Sequence, residues 1–119
     1  MTDEKDCFKL YQQEVERTLA EHPDRLFGLA ILGLGLTGEA GEAADIIKKY
    51  VGHKHPWDEQ TSLALIAELG DVLWYVAAIA SVMDLGLDCI VKYNVEKLTE
   101  RYPTGFSPEA SLYRGTRNT

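Results

Sequence analysis

Two pairs of carboxylates stand at helical spacing in the middle of the chain. Glu39 and Glu42 are three residues apart, and Glu68 and Asp71 repeat that spacing further along. Side chains three residues apart share one face of an α-helix, so each pair would direct its oxygens the same way. Carboxylates from two facing helices would suit a hard divalent cation such as Mg²⁺, which joins protein oxygens to the phosphates of a substrate.

The residues around the second pair strengthen the metal hypothesis. Glu68 and Asp71 lie inside a mostly apolar run, 62–83, whose other faces we expect to be buried. A buried carboxylate is stable only when it is protonated, paired or bound to a metal. The helical spacing puts a single cation, Lys49, on the two carboxylate faces. We therefore favour metal binding over a solvated acidic face, which stays the alternative, chiefly for the first pair.

The spacing also bears on which metal would bind. A di-iron site in a helical bundle uses a Glu-x-x-His pattern. No histidine stands three residues after any of the three glutamates, because those positions hold Glu42, Asp45 and Asp71. Mg²⁺ is therefore the predicted ion, with Mn²⁺ as the second candidate.

A glycine pattern directly before Glu39 offers a different interpretation. Gly33-Leu-Gly35-Leu-Thr-Gly38 matches the fingerprint of dinucleotide-binding folds. That fingerprint requires a preceding strand and a βαβ unit, and the chain has no candidates for the other strands. Glu39 would also face the pyrophosphate and repel it. We interpret these glycines as small residues of a helix, where they allow close packing or leave room for a ligand.

Apolar residues recur at the helical period along most of the chain, which predicts an all-α fold. The connections are short, so the helices should form an antiparallel four-helix bundle-like domain that assembles into oligomers. We expect one domain over residues 1–119, with a core at about 6–101 and a tail at 102–119. The predicted helices are Asp6–Glu21, Leu26–Val51, Asp58 to about Met83, Asp88 to about Arg101, and a short one opened by Ser107-Pro108-Glu109.

The composition sets limits on partners and location. A formal net charge of −7 argues against a general nucleic-acid binder, because phosphate backbones need basic surface. Two cysteines without a CxxC pairing indicate reduced thiols in a cytoplasmic protein. The N-terminal MTDEKDC is acidic and no apolar run follows it, so we expect no signal peptide. Carboxylates inside the longest apolar run argue against a membrane partner.

Three segments together resemble a known family: GLTGEAGEAADIIKK, AELGDVLWYV and NVEKLTERYPTGF. They are similar to the MazG-like nucleoside triphosphate pyrophosphohydrolases of the all-α NTP pyrophosphatase superfamily, over about residues 26–113. The family pattern is EExxE, a spacer and ExxD. Its last four carboxylates match Glu39, Glu42, Glu68 and Asp71, and Gly38 replaces its first glutamate.

This resemblance implies hydrolysis of a nucleoside triphosphate to the monophosphate and pyrophosphate, with Mg²⁺ held by the four carboxylates. Attack would fall on the α-phosphate, and Glu39, with Glu42 beside it, would position or deprotonate the water. The resemblance also implies that Asn94 and Lys97 on the fourth helix bind phosphates. Arg101 shares their face by its spacing, and a solvated polar face is the alternative for all three.

Tyr75 and Lys49 complete the predicted substrate-binding residues. Tyr75 follows Asp71 by one helical turn, where it would contact the sugar or base or, equally, belong to the core. Lys49 is included as the one cation on the carboxylate faces. His53 and His55 are interpreted as solvated loop residues.

The remaining assignments concern the loop, the tail and the partners. Trp57 is interpreted as an anchor of its loop, in preference to a lid over a base. Arg114 and Arg117 would reach either a phosphate or a neighbouring subunit.

The expected partners are a nucleoside triphosphate and further copies of the chain, as a homodimer or homotetramer. Two rival functions stay open: a non-catalytic helical interaction protein, suggested by Gly38, and a metal-dependent phosphohydrolase that releases orthophosphate.

Overall fold

The computed structural model describes residues 4–113, with side chains from Cys7 onward. These residues form five α-helices and no β-strand, which confirms the all-α prediction. Arg114 and Arg117 of the predicted basic tail lie outside the described residues. The helices are α1 Glu4–Thr18, α2 Arg25–Gly52, α3 Glu59–Val82, α4 Leu87–Arg101 and α5 Pro108–Leu112.

Side-chain caps fix where three of the helices begin. The Asp24 carboxylate accepts hydrogen bonds from the first N–H groups of α2. Asp58 accepts from Thr61 N over 2.8 Å at the start of α3, and Ser107 caps α5 in the same way. These caps satisfy N–H groups that a helix leaves without intrahelical partners, so α2 and α3 begin within one residue of the predicted positions.

The first helix ends three residues before the predicted bound at Glu21. Trp74 of α3 donates from Nε1 to Thr18 Oγ1 over 2.9 Å, and Thr18 Oγ1 donates in turn to the carbonyl of Val15. These bonds tie the last turn of α1 to α3. The chain from 19 to 24 then leads to α2 without helical structure.

The described residues fall into two compact units, one up to Leu87 and one from Asp88 onward. In the first unit, α3 packs against both α2 and α1. The second unit holds most of α4 together with α5. The organisation of the chain as one domain stays a prediction. The core of the first unit joins Val15, Leu32, Ala77, Ala78 and Leu87.

A buried glutamine ties α1 to the turn that follows α3. The Gln12 side-chain amide donates to Ser81 Oγ over 3.0 Å and to the carbonyl of Leu85 over 2.8 Å. Its Oε1 accepts from Leu87 N over 2.8 Å. Because buried polar groups are costly without partners, these three bonds fix the end of α3 against α1.

The helices α2 and α3 lie antiparallel along one seam with a constant register. For a given number of residues further along α2, the facing residue lies the same number of residues earlier in α3. The two faces that the carboxylate spacing defines therefore meet over several turns. The facing residues, in their order along α2, are Gly35 with Tyr75, Glu39 with Asp71, Glu42 with Glu68, and Lys49 with Thr61.

Gly35 marks a close approach on this seam. A Cβ at Gly35 would lie 2.2 Å from Tyr75 Cε1 and 2.7 Å from the Tyr75 hydroxyl oxygen. The aromatic ring therefore occupies the space that any other residue would need. At Gly33, by contrast, a Cβ would meet nothing within 4 Å.

By length and composition alone, α2 and α3 are each apolar enough to cross a membrane, with mean hydropathies of 1.2 and 1.8 over their most apolar stretches. This is weak evidence for a span, because core helices have the same composition. Both helices also carry carboxylates near their middle, which are costly in lipid. Their composition fits helices that pack against protein.

Substituting Gly35 by alanine should destabilise the first unit, because the new methyl group would displace the Tyr75 ring. Overpacking of this kind costs about 1–3 kcal/mol in the free energy of unfolding, measured by urea denaturation. Gly33→Ala is the matched control and should stabilise by up to about 1 kcal/mol, because alanine favours the helix and space is free. In a Tyr75→Ala background the cost of Gly35→Ala should disappear. Equal effects of both alanines would contradict the proposed contact.

Candidate active site

Three carboxylates from α2 and α3 meet at the middle of the seam. One oxygen from each of Glu39, Glu42 and Glu68 lies within 4.8 Å of the other two. Glu39 and Glu68 are half-buried, whereas Glu42 is exposed, so the cluster opens to solvent on one side. The structure thus brings together three of the four residues predicted to hold a metal ion.

Two oxygens of this acidic cluster are buried and accept no hydrogen bond from the described residues: Glu39 Oε2 and Glu68 Oε2. The crowding raises the pKa of Glu68 from 4.5 to about 7. The largest cause is the contact with the Glu39 carboxylate, which would accept a hydrogen bond from protonated Glu68, and Glu42 is the next. Without a bound cation, Glu68 therefore keeps its proton up to about pH 7.

These observations fit a divalent metal ion. The buried oxygens have lone pairs that no donor of the described residues satisfies, and a cation would satisfy them. Mg²⁺ binds through a few carboxylates and keeps several waters, which the open side at Glu42 would admit. Glu39, Glu42 and Glu68 are the residues that would hold it. Mn²⁺ accepts the same oxygen ligands.

Asp71 stands beside the acidic cluster. It is exposed and lines a cavity of about 310 Å³ together with Glu39, Trp74 and Tyr75. Burial raises the pKa of the Tyr11 hydroxyl on α1, and the charge of Asp71 raises it further. Tyr11 therefore lies near this small cavity, and a ligand in the cavity would meet the Asp71 carboxylate.

A larger cavity of about 370 Å³ adjoins the same two aromatic residues. Most of its wall is apolar and comes from the start of α2, the later part of α3 and the connection after α1. The rings of Trp74 and Tyr75 contact each other edge to face, with centroids 5.0 Å apart. Because both line the two cavities, they connect the apolar cavity with the carboxylates.

The predicted cation on the seam, Lys49, pairs with Asp45, with 2.7 Å between Nζ and Oδ2. The hydrogen bond from Lys49 is the largest cause of a lowered pKa at Asp45. Lys49 also lines a cavity of about 250 Å³ with His55 and Thr61, at the loop end of the seam. His55 is exposed in the loop, which agrees with its interpretation as a solvated loop residue, and it also contributes to this concave surface.

The other predicted substrate-binding residues lie on α4, in the second compact unit. Asn94 is exposed and Lys97 is half-buried. Arg101 is only 9% exposed, and its guanidinium carbon lies 5.9 Å from the centroid of the Tyr102 ring. Their role in phosphate binding stays a prediction.

Comparisons with known proteins assign the family. The model of the family described as the MazG nucleotide pyrophosphohydrolase domain matches residues 27–106, a range that contains Glu39, Glu42, Glu68 and Asp71. The chain belongs to this family. The MazG resemblance inferred from the sequence is thereby confirmed, and with it a nucleotide-pyrophosphohydrolase type of domain. No solved structure matches the chain.

Two relatives of this MazG domain come from a phage and a bacterium. The chain is 41% identical to the Gene 37 protein of Mycobacterium phage L5 over 83 residues, which are 69% of this chain and 73% of that protein. It is 36% identical to the Uncharacterized protein YvdC of Bacillus subtilis (strain 168) over 73 residues, 56% of this chain and 69% of the relative. Neither name states an activity.

The chain departs from the MazG pattern at Gly38. This residue is exposed, and a Cβ added to it would meet nothing within 4 Å. The glutamate of the pattern would therefore fit without a steric clash. Its replacement leaves the acidic cluster with one fewer carboxylate nearby.

No local sequence pattern indicates the apolar cavity or the approach of Tyr11 to Asp71. That approach depends on how α1 packs against α3. The cavity draws its wall from separate parts of the chain, which share no local pattern. Trp57 contacts the ring of Tyr50, with centroids 5.1 Å apart, which agrees with its interpretation as a loop anchor.

The raised pKa of Glu68 predicts how the stability of the metal-free protein depends on pH. Folded Glu68 keeps its proton up to about pH 7, whereas the unfolded side chain loses it near 4.5. The folded state therefore binds more protons in this window, and its stability should fall as the pH rises through it. Thermal unfolding of EDTA-treated protein should show this fall between about pH 5 and 8.

Glu68→Gln is the control for this prediction, because the amide cannot titrate. Its stability should depend less on pH over the same window. Added Mg²⁺ should raise the unfolding temperature of the wild type more at pH 8 than at pH 5, since the ion competes with the proton. Identical pH profiles for wild type and Glu68→Gln would disprove the assignment.

Proposed function

We propose that this protein hydrolyses (deoxy)nucleoside triphosphates to the monophosphate and pyrophosphate, in a reaction that requires Mg²⁺. The observation that carries the proposal is the acidic cluster of Glu39, Glu42 and Glu68, with its two buried and unpartnered oxygens. Membership of the MazG family supports the same reaction class. An acidic chain can receive a triphosphate at such a site only if a cation reverses the local charge.

The cavities suggest where the nucleoside would lie. The apolar cavity beside Trp74 and Tyr75 has the character of a base-binding pocket, because aromatic rings stack on bases of any type. Trp74 Nε1 already donates to Thr18, which leaves its ring for contact. Tyr75 lies between this cavity and the carboxylates, where the sugar would be.

The residues of the seam have distinct roles in this reaction. Glu39 faces both the acidic cluster and the small cavity, so its carboxylate would orient the attacking water and accept its proton. The water oxygen forms a bond to the α-phosphorus, and the bond to the oxygen that bridges to the β-phosphate breaks. When bound, Mg²⁺ neutralises the triphosphate and makes water more acidic. Glu42 and Glu68 would hold the ion together with Glu39, and Asp71 would add a carboxylate from the adjoining small cavity.

A product-resolved assay tests this function. Incubation with a panel of nucleoside triphosphates and Mg²⁺ should release pyrophosphate and a nucleoside monophosphate from at least one of them. Release of orthophosphate would favour the rival phosphohydrolase. No release from any nucleotide would favour the non-catalytic interaction protein.

Substitution of the carboxylates tests the assignment of the site. Glu42→Gln or Asp71→Asn should lower turnover by at least about a hundredfold, because even groups that only support metal ligands contribute 10–100-fold. Circular dichroism should show an unchanged helical fold. Glu59→Gln, in the first turn of α3, is the matched control and should keep its activity. Full activity in either site variant would show that its carboxylate is not required.

We also propose that the chain forms a homodimer or homotetramer. The outer face of α3, defined here as Leu63, Ile66, Leu69 and Leu73, lies opposite the carboxylates of the helix, and each of the four side chains is at least 45% exposed. Contiguous apolar surface of this kind usually marks a protein interface. The cytoplasmic location expected from the sequence stays a prediction.

Charges placed on the outer face of α3 should dissociate the oligomer. We expect the double variant Ile66→Asp and Leu69→Asp to shift to the monomer mass in size-exclusion chromatography with light scattering, because buried charges are costly. Leu26→Asp is the control, since Leu26 is 76% exposed and lies outside this face. A monomeric wild type would refute the oligomer, and an equal shift in both variants would refute this interface.

A further inference from the structure

A segment that spans the last residues of α2 and the first residues of the connection to α3, residues 48–55, concentrates positive charge in an acidic chain and is called the basic loop here. Residues 48–55 contain three lysines, two histidines and no acidic side chain, whereas the chain as a whole has a net charge of −7. This basic loop closes the seam beyond the acidic cluster. Lys49 lies seven residues after Glu42, about 10 Å further along α2. Its ammonium group turns back by one turn to reach Asp45.

The cavity at this end of the seam has the donors that a phosphate needs. Lys49, His55 and Gln60 line it, and each has N–H groups. Asp58 also lines this cavity, and Asp45 pairs with its lysine, but both carboxylates are already engaged. Asp58 accepts hydrogen bonds from the backbone N and hydroxyl of Thr61, and Asp45 pairs with Lys48 and Lys49.

The opposite end of the seam is mostly apolar. The cavity beside Trp74 and Tyr75 is lined largely by apolar side chains, and its charged residues are of both signs: Glu21, Asp24 and Arg25. Arg25 already donates hydrogen bonds to the carbonyl of Val82 and to Met83 Sδ. Along the seam, therefore, an apolar cavity, the carboxylates and a polar cavity with the N–H donors of Lys49, His55 and Gln60 follow one another. A nucleoside triphosphate has the same order: base, α-phosphate, then the β- and γ-phosphates.

We propose that the loop cavity binds the β- and γ-phosphates of the substrate, and hence the pyrophosphate product, through Lys49 and His55. This inference rests on the proposed function and adds the direction in which the nucleotide lies along the seam. Lys49 would exchange its contact with Asp45 for one with the phosphate. The leaving group would thus depart toward the basic loop.

Product inhibition tests the direction. In Lys49→Met, the inhibition constant of inorganic pyrophosphate with Mg²⁺ should rise about tenfold, the effect of losing one charge-assisted hydrogen bond. The inhibition constant of the nucleoside monophosphate should stay the same, because it occupies the other end of the seam. Lys48→Met removes the neighbouring lysine, which does not line the cavity, and should leave both constants within about twofold of wild type.

Two further variants distinguish the loss of the Lys49 charge from the loss of the ion pair between Lys49 and Asp45. Asp45→Asn should leave pyrophosphate inhibition unchanged or stronger, and the Asp45→Asn and Lys49→Met double variant should keep the weakened inhibition. The proposal is wrong if Lys49→Met leaves pyrophosphate inhibition unchanged. It is also wrong if that variant weakens inhibition by the monophosphate equally or selectively.

The test remains decisive if the proposed function fails. A wild type that releases no pyrophosphate from any nucleotide would refute that function, and the inhibition assay would then be replaced by calorimetry. Titration of inorganic pyrophosphate with Mg²⁺ would still compare wild type with Lys49→Met. Weaker binding to the variant would support the loop cavity as a pyrophosphate site, and equal or absent binding would overturn it.

Discussion

Repulsion among three carboxylates at the α2–α3 seam is the constraint that the rest of the first unit has to accommodate. Glu39, Glu42 and Glu68 are held together by helices whose own packing lies elsewhere, in the core around Ala77 and Ala78 and at the contact of Tyr75 with Gly35. The fold therefore maintains an arrangement that is unfavourable by itself. A cation that binds only the folded protein would stabilise it by mass action, so fold and site are thermodynamically linked.

The contacts that α1 makes with α3 support this arrangement. Gln12 and Thr18 both form hydrogen bonds that reach α3 or the turn after it, and Thr18 uses the indole N–H of Trp74. The orientation of that indole decides which surface it presents to the apolar cavity. A helix without any predicted site residue thus shapes the candidate site, because it fixes a side chain that borders the apolar cavity.

The sequence predicted the bounds of the helices better than the way in which the helices pack against one another. The long helical periods and the aspartate caps placed α2 and α3 within about a residue, and the spacing put Glu39, Glu42 and Glu68 on facing surfaces. Whether Asp71 joins the acidic cluster depends on the register of two helices and on a side chain one methylene shorter than that of glutamate. The end of α1 and the approach of Tyr11 to Asp71 depend on tertiary packing, which no local pattern records.

The open space at Gly38 has a consequence for how such a site can evolve. In a packed interior, a new side chain must displace its neighbours, so a substitution that changes the chemistry of a site also lowers the free energy of unfolding. At Gly38 no neighbour has to move, and a carboxylate can be gained or lost close in sequence to the acidic cluster without repacking the helices. Ligand number and local charge can therefore drift between members of a lineage while the scaffold stays the same.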